Sequence, residues 1–256
     1  MDVEALKEEA GIAACKYVTE GMHVGLGTGS TVKYTILELG RRVREEGLTI
    51  VGVPTSIATR DLAQEVGIPL ADLDDLDWLD VVIDGTDEFD PSFQLIKGGG
   101  AALLREKVVG QASKQMVVVA DDRKQVATLG AFPLPIEITP FSFNTTKRAI
   151  ESILGCNVSM RMADGNLLKT DNGNYIADAQ TGASITNPIM TEQRLLALAG
   201  VVQVGLFNNM CNVVVMASDT GVSILTKDDL TISKSPLHQA LNRRGKRRVW
   251  ACSLVR

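Results

Sequence analysis

Three short segments carry the residue types and spacings that could do chemistry. In DGTDEFD (Asp84 to Asp90), the apolar run Val81 to Ile83 places Asp84 at the carboxyl end of a buried strand and Asp87 in the loop after it. Two carboxylates beside an apolar sheet can move protons or hold a hard cation. The spacing is not that of an EF-hand, which needs a glycine at its sixth position. In KGGGAALLREK (Lys97 to Lys107), a cation and Gly98, Gly99 and Gly100 precede a helix. Such a loop offers backbone N–H groups to oxygens that gain charge during a reaction. Glu106, inside that helix, is either a surface glutamate between Arg105 and Lys107 or a general base facing the sheet, its pKa raised by burial. The third segment, GLGTGST (Gly25 to Thr31), sits where a strand turns into a helix. Thr28, Gly29, Ser30 and Thr31 there offer N–H and hydroxyl donors to an anion; the plainer alternative is a tight turn with Ser30 as N-cap.

Other chemistries are excluded by what the chain lacks. A G-x-G-x-x-G dinucleotide loop fails at Ser30, and the second strand ends in Pro54, Thr55 and Ser56 without a ribose-binding carboxylate. No Gly-Lys-Ser/Thr closes a Walker A loop, so a single phosphate or carboxylate is the expected guest. The two histidines, His23 and His238, argue against Ser-His-Asp catalysis and multi-histidine metal sites. The four cysteines lie far apart without a C-x-x-C pair, which fits a reduced, intracellular compartment. With 26 basic and 31 acidic residues the net charge is −5, so neither nucleic acid nor a membrane surface is expected as a general partner. The N-terminus has no signal-peptide pattern, and the longest mostly apolar run, Leu195 to Phe207, is too short to span a bilayer.

The elements that must hold these segments alternate. A helix over residues 4 to 20 leads to a strand at Val24 to Leu26, the glycine loop and another helix. Then come a strand (Thr49 to Val53), a helix (Ile57 to Val66), a strand ending at Asp84, a helix (Ala101 to Ser113) and a strand (Met116 to Ala120). Strands interleaved with helices predict an α/β fold with a parallel, Rossmann-like sheet and functional loops beyond the strands' carboxyl ends.

Pro133, Pro135 and Pro140 mark a change of pattern. Beyond them the order is strand (Ile136 to Thr139), helix (Thr145 to Leu154), strand (Cys156 to Met162), strand, helix (Ile189 to Ala199), strand (Val201 to Leu206). This is the split β-α-β order of a ferredoxin-like α+β unit, with turn residues Asp171, Asn172 and Gly173 between its middle strands. Val213 to Ala217 reads as a strand rejoining the first sheet. The expected division is a main domain of residues 1–131 plus 207–226, a smaller inserted domain of 132–206, and a basic extension of 227–256. That extension carries eight basic and two acidic residues, including RRGKRR at Arg243 to Arg248, read as a solvated tail.

Taken together and in this order, GLGTGST, the Pro-Thr-Ser after the second strand, DGTDEFD, KGGGAALLREK, ADDRK and TDNGNYIAD closely resemble type A ribose-5-phosphate isomerase. The resemblance runs over about residues 3 to 226. It implies aldose-ketose interconversion of ribose 5-phosphate and ribulose 5-phosphate in the pentose phosphate pathway, a homodimer or larger homo-oligomer, a cytoplasmic location, and no metal or organic cofactor. It assigns Glu106 as proton acceptor, with Asp84, Asp87 and Lys97 around the reacting end. Thr28 to Thr31, Asp84 to Asp87 (with Gly85 and Thr86) and Lys97 to Gly100 become substrate loops. Lys124 becomes a substrate contact and Lys7 a phosphate-side lysine. Two positions depart from the family pattern: Thr86 stands where alanine is commonest, and His23 where an apolar residue is usual. The alternative from another class is a noncatalytic sugar-phosphate sensor, since related folds serve as effector-binding domains.

Overall fold

The computed structural model describes residues 2–227, so His238, the run Arg243 to Arg248 and all but the first residue of the basic extension lie outside the described residues. The first half alternates as expected: α1 (Val3–Ala14), β1 (His23–Leu26), α2 (Val32–Glu46), β2 (Val51–Pro54), α3 (Ile57–Glu65) and β3 (Val81–Gly85). Two short strands, β4 (Glu88–Phe89) and β5 (Leu95–Ile96), then precede α4 (Leu103–Gln111) and β6 (Met116–Asp121). Next come β7 (Leu134–Ile138), α5 (Phe143–Leu154), β8 (Val158–Met160), β9 (Met162–Ala163), β10 (Asn166–Leu167) and β11 (Tyr175–Ala179). The chain continues through α6 (Pro188–Leu196), β12 (Val201–Val204), β13 (Leu206–Phe207), β14 (Val213–Ser218) and β15 (Gly221–Thr226).

Six strands form the main sheet in the order β15-β14-β6-β3-β1-β2, parallel except for the β14–β15 hairpin. Its strands are runs of valine because both faces are covered. Val81, Ile83, Val117, Val119, Val213 and Val215 pack on one face with Leu6 and Ala10 of α1 and Ile36 and Leu39 of α2. Val82, Val118 and Val214 pack on the other with Leu103 and Val109 of α4. Strand alternation gives Asp84 the parity of Val82, which turns its side chain to the α4 side.

Between β6 and β14 the chain builds a four-stranded antiparallel sheet in the order β12-β7-β11-β8, the strand order of a split β-α-β unit. Ile136, Ile138, Ala177 and Val204 pack there against Ile150 of α5 and Leu195 of α6. Ile176, on the opposite face, joins the core beneath α4. The single strand expected over Cys156 to Met162 starts at Val158 and breaks at Arg161, and a β9–β10 ribbon turns at Asp164 and Gly165 before the anticipated turn at Asp171 to Gly173. The strand expected over Val201 to Leu206 also divides. Gly205 donates to the Pro135 carbonyl and accepts from Lys97 N–H, which passes the chain to β13 and a three-stranded ribbon with β5 and β4.

Candidate active site

The chain runs from β1 to β2 on one side and then returns to place β3 on the other side of β1. Loops leaving the carboxyl ends of β1 and β3 therefore diverge, and a crevice opens between them. A cleft of about 210 Å³ lies there. Lys7, Thr28, Gly29, Ser30, Thr31, Gly85, Thr86, Asp87, Lys97, Gly98, Gly99, Gly100, Glu106 and Lys124 all line it. Asp84 sits beneath it, fully buried. Asp121 and Arg123 also line the cleft, and sequence reasoning passed over both. The neighbouring Lys124 was their only signal, in the ADDRK segment that closes β6.

The centre of the site is an ammonium between two carboxylates. Lys97 Nζ lies 2.9 Å from Asp84 Oδ2 and 3.2 Å from Glu106 Oε1, and donates to the Gly85 carbonyl at 2.6 Å. Lys97 is 2% exposed and Glu106 3% exposed, so Glu106 is not the surface residue that its charged neighbours suggest. Thr28 N–H and Gly85 N–H both donate to Asp84 Oδ1. Glu106 Oε2 is buried without a hydrogen-bond partner. Burial raises the pKa of both carboxyls; at Glu106 the like charge of Asp84 adds to the rise, Lys97 opposes it, and the result is about 8. The same two carboxylates raise the pKa of Lys97 despite its burial. The positive charge that a metal ion would supply between Asp84 and Glu106 is already there as the Lys97 ammonium.

Close approach explains the glycines. A Cβ on Gly27 would stand 2.3 Å from Asp84 Oδ1, and one on Gly99 would stand 2.4 Å from Asp87 Oδ1. Gly99 N–H donates to Asp87 Oδ2, which ties the Lys97–Gly100 loop to the loop after β3. The backbone turns sharply around this tie, with φ of 106° at Gly98 and 58° at Ala101. That is why α4 begins at Leu103 instead of the expected Ala101.

The mouth of the cleft suits an anion. Ser30 and Thr31 lie at the N-terminus of α2, whose first N–H groups and dipole favour negative charge. Lys7 from α1 and Lys124 from the turn after β6 bring ammonium groups to the same region, Lys7 paired with Glu4 at 2.6 Å. Arg123 is held by both oxygens of Asp121. Thr28 Oγ1 lies 2.7 Å from Thr55 Oγ1, so the Pro-Thr-Ser that begins on the last residue of β2 buttresses the first loop.

The chain matches the ribose 5-phosphate isomerase A (phosphoriboisomerase A) family over residues 51–221. The chain belongs to that family. A ribose-5-phosphate isomerase A from Jannaschia sp. (strain CCS1) is 48% identical over 225 residues, 86% of each chain. The solved ribose 5-phosphate isomerase A of Methanocaldococcus jannaschii is 39% identical with a TM-score of 0.83, covering 88% of this chain and 100% of that one. A D-ribose-5-phosphate isomerase solved in complex with phospho-erythronic acid is 38% identical with a TM-score of 0.86, covering 89% and 100%. Of the two positions noted in the sequence as departing from the resemblance, Thr86 has local bonds and His23 lies away from the cleft. The Thr86 hydroxyl lies 2.6 Å from the Glu88 carbonyl and 2.9 Å from the Ile96 carbonyl, so it serves as a bond within its own loop. His23 is half-buried at the start of β1, at the end of that strand away from the cleft.

Proposed function

We propose that the cleft interconverts D-ribose 5-phosphate and D-ribulose 5-phosphate through an enediolate, with Glu106 as the base. The observation that carries this is the unpartnered, buried Oε2 of Glu106 beside Lys97, in a cleft rich in backbone N–H groups. Glu106 takes the C2 proton of open-chain ribose 5-phosphate and returns it to C1. The oxygens of the enediolate gain negative charge as the proton leaves, and Lys97 with the glycine-loop N–H groups stabilises it. Asp84 or Asp87 assists ring opening and moves the hydroxyl proton. The phosphate binds toward Lys7, Lys124 and the N-terminus of α2. The solved relative that holds phospho-erythronic acid supports this reading, since that molecule joins a phosphate to a planar carboxylate shaped like an enediolate end. A binding-only sensor would need the anion donors but would have no use for a carboxylate kept dry and free at one oxygen.

Residues 1–131 with 207–226 form the catalytic unit in this proposal, residues 132–206 the smaller unit, and the protein works in the cytoplasm as a homodimer or larger homo-oligomer. The test of the base is Glu106→Gln, assayed for ribulose 5-phosphate formed from ribose 5-phosphate. Turnover should fall by roughly 10²–10⁴-fold or more while the protein stays folded. Near-normal turnover would remove Glu106 from the mechanism.

A further inference from the structure

We propose that Arg161, oriented by Asp178, is a positioning residue that sets the glycine loop of the cleft from the second sheet. Arg161 stands between β8 and β9, remote in sequence from the loop, and does not itself line the cleft. Its Nη1 donates to the carbonyls of Gly98 at 2.8 Å and Gly99 at 2.9 Å. Its Nε and Nη2 donate to the two carboxylate oxygens of Asp178 on β11, which holds the planar guanidinium in one orientation.

The consequence follows from peptide geometry. In a planar trans peptide the N–H points opposite to the C=O. With the Gly98 carbonyl on Arg161, the Gly99 N–H is turned to Asp87 Oδ2, where it is found at 2.8 Å. With the Gly99 carbonyl on Arg161, the Gly100 N–H is turned toward the cleft that Gly100 lines. Arg161, together with the Ala101 N–H that also donates to the Gly98 carbonyl at 3.0 Å, thus aims two consecutive N–H groups, one at a site carboxylate and one at the space for substrate oxygen. Ala101, a non-glycine residue with φ of 58°, keeps such a conformation when its surroundings impose it. Asp178 belongs to the TDNGNYIAD segment, for which the reaction itself gives no use.

The role rests on the isomerase activity proposed for the cleft, and its test separates the two. The full chain would be compared with Arg161→Met, Arg161→Lys, Asp178→Asn and the Arg161→Met/Asp178→Asn double variant. The readouts are kcat and KM for ribose 5-phosphate and hydrogen–deuterium exchange of residues 97–103. Arg161→Met should lower kcat by roughly 10- to 100-fold with KM within about threefold, because the loss is in donor placement. Exchange should quicken in 97–103 alone, and the pH of half-maximal kcat/KM should stay put because Glu106 is untouched. Arg161→Lys should recover only part of the activity, since an ammonium cannot bridge two carbonyls and a bidentate carboxylate in one plane. Asp178→Asn should lower kcat alone and add nothing in the Arg161→Met background. A folded Arg161→Met protein with kcat within twofold of the parent, additive losses in the double variant, or exchange quickening throughout the molecule would each overturn the proposal. A parent without isomerase activity would instead remove the proposed reaction, and the exchange pattern would still decide whether Arg161 clamps the loop.

Discussion

Without Lys97, Asp84 and Glu106 would be two carboxyls in one dry pocket, and one of them would keep its proton at neutral pH. Lys97 lets both approach ionisation, and the balance leaves Glu106 at about 8, where a base can both accept and release a proton near physiological pH. Two consequences belong to this residue. As the base proposed above, Glu106 would act when ionised, so kcat/KM of the free protein should rise with pH to a plateau above about 8, as a pH–rate profile would show. The stability effect runs the other way. A carboxyl whose pKa rises on folding holds more protons in the folded than in the unfolded state between its ordinary value of 4.5 and about 8. Its contribution is therefore full below 4.5 and is lost as pH climbs through about 8. Glu106→Gln cannot titrate, so its Tm relative to the parent should improve steadily across that window. A constant Tm difference from pH 4.5 to 8.5 would contradict the raised pKa.

At the scale of elements, the site depends on how closely α4 and the first glycine loop approach the end of β3. Gly27 N–H donates to the Ile83 carbonyl, and the missing side chain of Gly27 leaves the room that Asp84 occupies. In Gly27→Ala the new methyl would meet Asp84 Oδ1 at 2.3 Å and its Cα at 2.6 Å, and the backbone contact cannot be relieved by a rotamer change. Overpacking of this kind costs about 1–3 kcal/mol, measurable by urea denaturation. Activity should fall further than stability, because Asp84 would pull away from Thr28 N–H and Lys97. Unchanged kinetics in Gly27→Ala would mean that the loop after β1 can move without disturbing Asp84.

For the whole molecule, the question is what couples the two sheets. Lys107, next to Glu106 on α4, is buried and reaches into the second sheet. Its three ammonium hydrogens are shared among Glu192 of α6, Gln203 and the carbonyls of Val204 and Leu206, all within hydrogen-bond distance of Nζ. The Phe207 ring centroid lies 5.4 Å from the Lys97 ammonium and 4.9 Å from that of Lys107. Two residues earlier on α4, Arg105 bonds Asn172 and the Asp171 carbonyl, and Asp171 Oδ2 caps the start of α3 by accepting from Ile57 N–H. The helix that carries Glu106 is thus fastened to the second sheet on both sides of that residue. Lys107→Met would leave Glu192 and two carbonyls short of a donor. Unfolding free energy should drop by about 3 kcal/mol or more, with one cooperative transition because the sheets share a core. Two separate transitions in the variant would show that Lys107 is the main link between them.

The local pattern of the chain determined the alternating α/β half, the valine strands of a two-sided sheet and the position of each glycine loop, because periodicity and punctuation are properties of adjacent residues. It also brought out the ordered motifs, and so the isomerase A resemblance. What α4 buries was not legible. Leu103, Glu106, Lys107, Val109 and Gly110 are all buried, and two charged residues among them erase the apolar stripe that marks a buried face. Only the tertiary structure decided that Glu106 points inward, because its partner Lys97 arrives from a different loop and its like-charged neighbour Asp84 from a different strand. The same holds for Arg161 and Asp178. Their importance lies in contacts with carbonyls and carboxylates brought near by the crossing from β1 to β3 and by the second sheet, and spacing along the chain carries no trace of such contacts.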